Sequence, residues 1–184
     1  RQSARMAGRE AELLIEGEET LVDGDALHRL AEPLAHLIRN AIAHGIEAPP
    51  ARVARGKPPA GRVLVSFASA TGWLSVSVQD DGAGLDMAAI AERARALHLL
   101  ADDLYLDASA AEQLILAPGF STRARANQIS GRGVGLDVVN QTVRSMRGVL
   151  QVRSRAGQGV TVQIDLPLEM MLRPLFVLRA RHHV

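Results

Sequence analysis

Two strand hairpins set far apart in the sequence restrict the fold of this chain more than any other feature. Val63 to Ala70 and Trp73 to Asp80 alternate in polarity around Thr71-Gly72. Gly148 to Ser154 and Val160 to Leu166 repeat the arrangement around Ala156-Gly157-Gln158-Gly159. Period-two alternation reads as half-buried strand, and a short glycine-bearing link between two such runs as a hairpin turn. The segments around them carry the helical period. Leu30, Leu34, Leu37, Ile38, Ala41 and Ile42 form one apolar stripe between Leu27 and His44, as an amphipathic helix requires. Pro33 marks a preliminary turn or kink near its start, and Gly45 is placed as a left-handed cap at its end. Met87 to Leu99, Ala108 to Leu116 and Leu136 to Met146 also read as helices, the last with Val138, Val139, Val143 and Met146 inward. Ala11 to Glu16 reads as a short strand. Ala48 to Gly61 holds four prolines and reads as a loop. Strand pairs joined as hairpins, not as repeated βαβ units, predict an α/β fold. It is a two-layer sandwich, with a mixed, mainly antiparallel sheet and helices on one face.

Composition removes several functions. Of 184 residues, 47% are hydrophobic and 3% aromatic, and the formal net charge is +1. Such a chain affords an aliphatic core but few stacking platforms and no basic footprint, which argues against nucleic acid as a partner. With no cysteine, thiol catalysis and zinc–thiolate sites are excluded. No apolar run is long enough to span a bilayer, so direct membrane insertion is not expected. The start at Arg1 and the strand-like close at Leu175 to Arg179 lead to the expectation of a domain excised from a longer, cytoplasmic protein.

Three groups of residues have chemistry in them. His36, Asn40 and His44 follow at steps of four and share a stripe beside the apolar one. The Asn40 carbonyl oxygen suits a magnesium ion, and the two histidines suit phosphate contact or proton transfer; a solvated helix face is the plainer reading. In Asp80-Asp81-Gly82-Ala83-Gly84, Asp80 shares the face of Leu74, Val76 and Val78 and is aimed at the core. A buried carboxylate needs a donor, and the exocyclic amine of adenine would be one, with Gly82 and Gly84 admitting a flat ring. An ordinary strand end and glycine turn is the alternative. Gly131-Arg132-Gly133-Val134-Gly135 runs into a helix, where free N–H groups and the dipole favour phosphate and Arg132 adds a cation. A flexible helix start is the alternative there. The order of the three is that of one nucleotide pocket.

These residues resemble the boxes of CheA-type chemotaxis histidine kinases, of the GHKL or Bergerat fold. His36 to Glu47 (HLIRNAIAHGIE) is similar to their asparagine box, Asp80 to Gly84 to their first glycine box, Pro118 to Thr122 (PGFST) to their phenylalanine box, and Ser130 to Val139 (SGRGVGLDVV) to their second glycine box. The resemblance runs from about Arg5 to about Leu168. It implies ATP with Mg2+, and transfer of the γ-phosphate to a histidine on a separate phosphotransfer domain. Asn40 would hold magnesium and Asp80 adenine. Gly82 and Gly84 would shape the base pocket, and Gly131, Arg132, Gly133, Gly135 and Leu136 would line the lid and phosphates. His36 and His44 would be the catalytic candidates, and Ser121 to Ser130 a lid. The implied partners are a histidine phosphotransfer domain in the same or a partner chain, a response regulator, and a CheW-like adaptor and receptor, with homodimerisation through domains missing here. Residues 1–168 would be the catalytic domain and 169–184 the start of a truncated CheW-like domain or a linker. One departure stands out: Ala43 replaces the family's usual Asp. The loss either weakens magnesium organisation or catalysis, or is covered by a neighbour such as Glu47. The alternatives to a kinase are a GHKL ATPase without kinase activity and a degenerate ATP-binding scaffold.

Overall fold

A computed structural model of the chain describes residues 2–6, 8–22, 24–120 and 135–168. Six strands, β1 (Gln2–Met6), β2 (Arg9–Glu16), β3 (Gly61–Ala70), β4 (Trp73–Asp80), β5 (Val149–Arg155) and β6 (Gly159–Pro167), form one sheet in the order β1-β2-β3-β4-β6-β5. The β2–β3 ladder is parallel and the other pairings are antiparallel. The mixed, mainly antiparallel sheet expected from the hairpins is therefore present. Thr71 and Gly72 both take positive φ, 46° and 82°, the geometry of a two-residue turn whose twist matches its strands.

Register places like with like. Val65, Val78, Val162 and Val152 lie in one row across the sheet, and Phe67, Val76, Ile164 and Leu150 in the next. On β4, Leu74, Val76, Val78 and Asp80 are buried, while Trp73 and Gln79 are exposed. Onto the buried face pack α1 (Gly24–Asn40) and α5 (Leu136–Ser145), with α3 (Met87–Ala96) and α4 (Ala108–Leu114) beside them. Leu30, Leu34 and Leu37 of α1, Val139 and Val143 of α5, and Ile90 of α3 are among the helical residues of the core.

Several expectations need correcting. α1 runs unbroken through Pro33, with no separate preliminary turn. A proline inside a helix forfeits one backbone bond, and burial of Pro33 on the face that holds Leu30, Leu34 and Leu37 offsets that loss. Gly45 is not a left-handed cap, since α1 passes instead into a π-helical turn, Ala41–Gly45, closed by Ile46 N–H to Ala41 O at 2.8 Å. The proline-rich loop contains a short helix, α2 (Pro49–Ala54), with proline at its first positions, where a missing N–H loses nothing. Val138 faces solvent, unlike Val139, Val143 and Met146. β1 was not anticipated. The lid segment and residues 169–184 lie outside the described residues.

Ile164 is fully buried in the middle of the sheet, whereas Val149 is 47% exposed at its edge. Ile164→Ala should therefore lower unfolding free energy by about 2–5 kcal/mol, and Val149→Ala by less than about 1 kcal/mol, as read from urea denaturation.

Candidate functional site

Strand period carries Asp80 to the inner face of the sheet, where it is 5% exposed. Its carboxylate meets backbone rather than cations. The Gly82 N–H donates to Oδ1 at 2.9 Å, and no ion pair reaches it among the described residues. Burial pushes its pKa up to about 6, against the backbone N–H groups of Gly82 and Val160 and with help from the negative charges of Asp81 and Glu47.

Glycines make room for this group. A Cβ on Gly45 would stand 3.0 Å from the carboxyl atoms of Asp80, and one on Gly82 would strike the Gly45 carbonyl oxygen at 2.0 Å. The π-turn and the Asp81–Leu85 turn can then touch, and Ala83 N–H donates to Gly45 O at 2.9 Å. Gly84 has φ +85°, and its Cβ would meet Arg155 O at 2.8 Å. Its lack of a side chain thus serves the approach of the β5–β6 hairpin. The turn is fastened to that hairpin by Gly157 N–H to Ala83 O and Leu85 N–H to Ser154 Oγ, each 2.8 Å.

The other half of the site is the end of α1. His36 is buried, Asn40 half-buried and His44 exposed. Asn40 Nδ2 lies 2.7 Å from His36 Nε2. An amide nitrogen only donates, so Nε2 accepts and the imidazole proton sits on Nδ1. That bond turns the Asn40 carbonyl oxygen the other way. The even step of four ends at Asn40, because the π-turn advances less per residue than an α-helix, and His44 leaves the stripe. The π-turn packs against β3, β4 and β6, which brings the asparagine segment and Asp80 together as expected. Gly135 caps α5 and Leu136 is its first residue; Asp137 Oδ2 accepts from Gly119 N–H at 3.1 Å, tying Gly119 to the first turn of α5. Gly131, Arg132 and Gly133 lie outside the described residues.

The sequence reading missed an ionic cluster beside Asp80. Arg52 is fully buried. Its guanidinium donates to Glu47 Oε2 at 3.0 Å, Asp81 Oδ2 at 2.8 Å and Pro58 O at 2.8 Å. Lys57 Nζ donates to Glu47 Oε1 at 3.0 Å, Asp81 O at 2.7 Å and Gly82 O at 2.8 Å. Arg55 adds a third cation to Glu47 at 3.1 Å. Burial opposes ionisation of Glu47, but its own backbone N–H, Lys57 and Arg55 outweigh that and hold its carboxyl below the ordinary value. Glu47 is thus engaged by three cations rather than open to a metal in place of the carboxylate absent at Ala43. Intervals of five and ten residues from Glu47 match no helical pairing rule, so nothing local marked Arg52 and Lys57 as its partners. A separate groove of about 530 Å³, lined by residues such as Gln113, Leu116, Asn140 and Arg144, includes neither Asp80 nor Asn40.

Residues 29–170 match the family model described as histidine kinase-, DNA gyrase B-, and HSP90-like ATPase. The chain belongs to that ATPase family. Among its sequence relatives are "Chemotaxis protein CheA" of Rhizobium meliloti, 40% identical over 92% of this chain and 22% of that protein, and of Bacillus subtilis, 39% identical over 97% and 27%. The "Gliding motility regulatory protein" of Myxococcus xanthus is 36% identical over 97% of this chain and 23% of its own. The chain spans about a quarter of the length of these curated relatives. The fold of this ATPase-family chain is also that of the catalytic domain of the histidine kinase ThkA, with a TM-score of 0.52 at 18% identity over 86% of this chain and 80% of that one. Full-length ShkA in complex with AMPPNP gives 0.54 at 21% identity, over 85% and 25%. The resemblance to CheA-type kinases is met in sequence, and the expected fold in the likeness to the ThkA and ShkA structures.

Asp80 also sets a pH signature. With its folded pKa raised from 3.8 to about 6, the unfolded chain ionises first, so stability should fall as pH rises through that window and level off above it. At about 1.4 kcal/mol per unit the difference is on the order of 3 kcal/mol. Urea midpoints of the nucleotide-free protein at pH 4.5 and 7.5 should show the fall, and Asp80→Asn should flatten it.

Proposed function

We propose that this chain is the ATP-binding catalytic domain of a chemotaxis-type histidine kinase, which transfers the γ-phosphate to a histidine on a separate phosphotransfer domain. The observation that carries the proposal is Asp80: a carboxylate buried at a strand end, unpaired with any cation among the described residues and walled by glycine backbone. Such a group accepts a hydrogen bond from a neutral donor, and the exocyclic amine of adenine supplies one. ATP therefore fits the residues present.

Magnesium fits less completely. Among the described residues no three His, Cys, Asp or Glu side chains are grouped to hold a metal. Asn40 presents one oxygen, oriented by His36, and the remaining ligands would come from phosphate and water, as is usual for this ion. When bound it would neutralise charge on the β- and γ-phosphates. In this reading His36 positions Asn40, since its Nε2 is already an acceptor, and exposed His44 is the better candidate for phosphate contact or proton transfer. Gly131, Arg132, Gly133 and the amides at the Gly135–Leu136 helix start would receive the triphosphate. Phosphoryl transfer needs chiefly placement and charge stabilisation, which such a site offers to a histidine from elsewhere. Residues 169–184 would begin a CheW-like domain or linker. A response regulator, an adaptor and a receptor would complete the system in the cytoplasm, with homodimerisation through segments outside this chain. No helix of the described residues is long and apolar enough to cross a membrane.

A second reading, a degenerate ATP-binding scaffold, is favoured by one observation: Ala43 lacks a carboxylate and Glu47 is held by Arg52, Arg55 and Lys57.

Asp80→Ala should weaken a fluorescent ATP analogue by about 10–100-fold, the worth of a charge-assisted hydrogen bond; undiminished binding would sink the adenine assignment. Affinity of the parent should decline as pH falls below about 6, where Asp80 protonates. Labelled ATP with the cognate histidine domain should yield phosphohistidine, and Ala43→Asp should raise the rate. Tight ATP binding with no transfer in either protein would instead establish the scaffold.

A further inference from the structure

The peptide joining Asp81 to Gly82 has a partner at each end. Its N–H, on Gly82, donates to Asp80 Oδ1 at 2.9 Å. Its carbonyl, on Asp81, accepts from Lys57 Nζ at 2.7 Å and from Arg52 Nη1 at 3.3 Å. The next carbonyl, on Gly82, accepts from the same ammonium at 2.8 Å. A peptide followed by glycine flips readily, because glycine tolerates either sign of φ. A flip here would turn the N–H away from Asp80. Lys57 and Arg52 oppose it, since a turned carbonyl would leave two cations, one fully buried and one half-buried, short of an acceptor. Cations on the oxygen also polarise the peptide and strengthen donation by its N–H.

Both cations are themselves fixed. Glu47 binds each of them, at 3.0 Å, and Arg52 also reaches Pro58 O and Asp81 Oδ2. Glu47 follows the π-turn by two residues, so the brace begins at the asparagine segment and ends on the Asp80 turn.

We infer that Lys57 and Arg52 are positioning residues for base recognition: they lock the Asp81–Gly82 peptide so that its N–H holds the Asp80 carboxylate in the orientation that reads the purine. Neither is assigned to touch nucleotide. The inference rests on the adenine role proposed for Asp80, and its test has one part independent of that role.

The first measurement is binding of ATP against purine riboside triphosphate, which lacks the exocyclic amine. The parent chain should prefer ATP by about tenfold or more. Lys57→Met should bring the ratio to within about threefold of unity, and Lys57→Arg, which keeps a donating cation, should recover most of it. An unchanged ratio in Lys57→Met, even with a lowered unfolding midpoint, would make Lys57 merely structural and overturn the proposal. The second measurement uses no nucleotide. The Gly82 amide proton should follow the Asp80 titration in the parent's NMR spectrum and cease to follow it in Lys57→Met. If it follows equally in both, the lock is refuted. A parent that binds both triphosphates alike while its Gly82 amide behaves as described would overturn the purine-reading role and leave the lock as a property of the turn alone.

Discussion

Asp80 closes the apolar face of β4, and the chain surrounds it with backbone instead of counter-charge. Removing a carboxylate from water without a cation is expensive, and the two backbone donors at Gly82 and Val160 leave its pKa raised to about 6. Everything close to it is arranged around that tension. Gly45 and Gly82 give the π-turn and the glycine turn room to meet over the carboxylate. A Cβ on Gly159 would lie 1.9 Å from the Asp80 carbonyl oxygen, so the β5–β6 hairpin also closes on it through glycine. The result is a buried carboxylate held by backbone N–H groups alone, which costs stability and which the proposed function uses as the acceptor for adenine.

Its neighbour in sequence is treated in the opposite way. The strand pleat that sends Asp80 inward sends Asp81 outward, where it is half-exposed and bound by Arg52 and the Arg62 N–H. The ion pairs of Arg52, Arg55 and Lys57 fall on Asp81 and Glu47. Cations are thus kept one residue from the carboxylate they would otherwise neutralise. The same cluster joins the end of the asparagine segment to the Asp80 turn, so the two halves of the proposed site share one frame.

Much of this was legible beforehand, for a definite reason. Alternation along Leu74, Val76, Val78 and Asp80 depends only on the pleat, and it correctly foretold a buried acid. The two hairpins were legible because their turns are short and their partners adjacent. The stripe of α1 was legible up to Asn40, where the π-turn ends the period. The misses share a cause as well. β1 (Gln2–Met6) has little apolar alternation and exists because β2 offers it an edge. The prolines of α2 read as breakers because the same residue serves both to stop and to start a helix. Val138 is apolar but lies outside the helical phase set by Val139 and Val143, so its apolarity misleads. Gly45 has the sequence position of a cap, but what it provides is space for a carboxylate.

Residue order by itself determined the periodicities, the inward aim of Asp80, and the motif set that ties the chain to its ATPase family, since each is a property of consecutive or closely spaced residues. The placement of Arg52 and Lys57 on Asp81, across 29 and 24 residues, came only from folding. The chain between them must turn back from α2 through β3 and β4 before those groups can meet. A buried guanidinium cannot be told from a solvated one until it is known which carboxylates and carbonyls close over it.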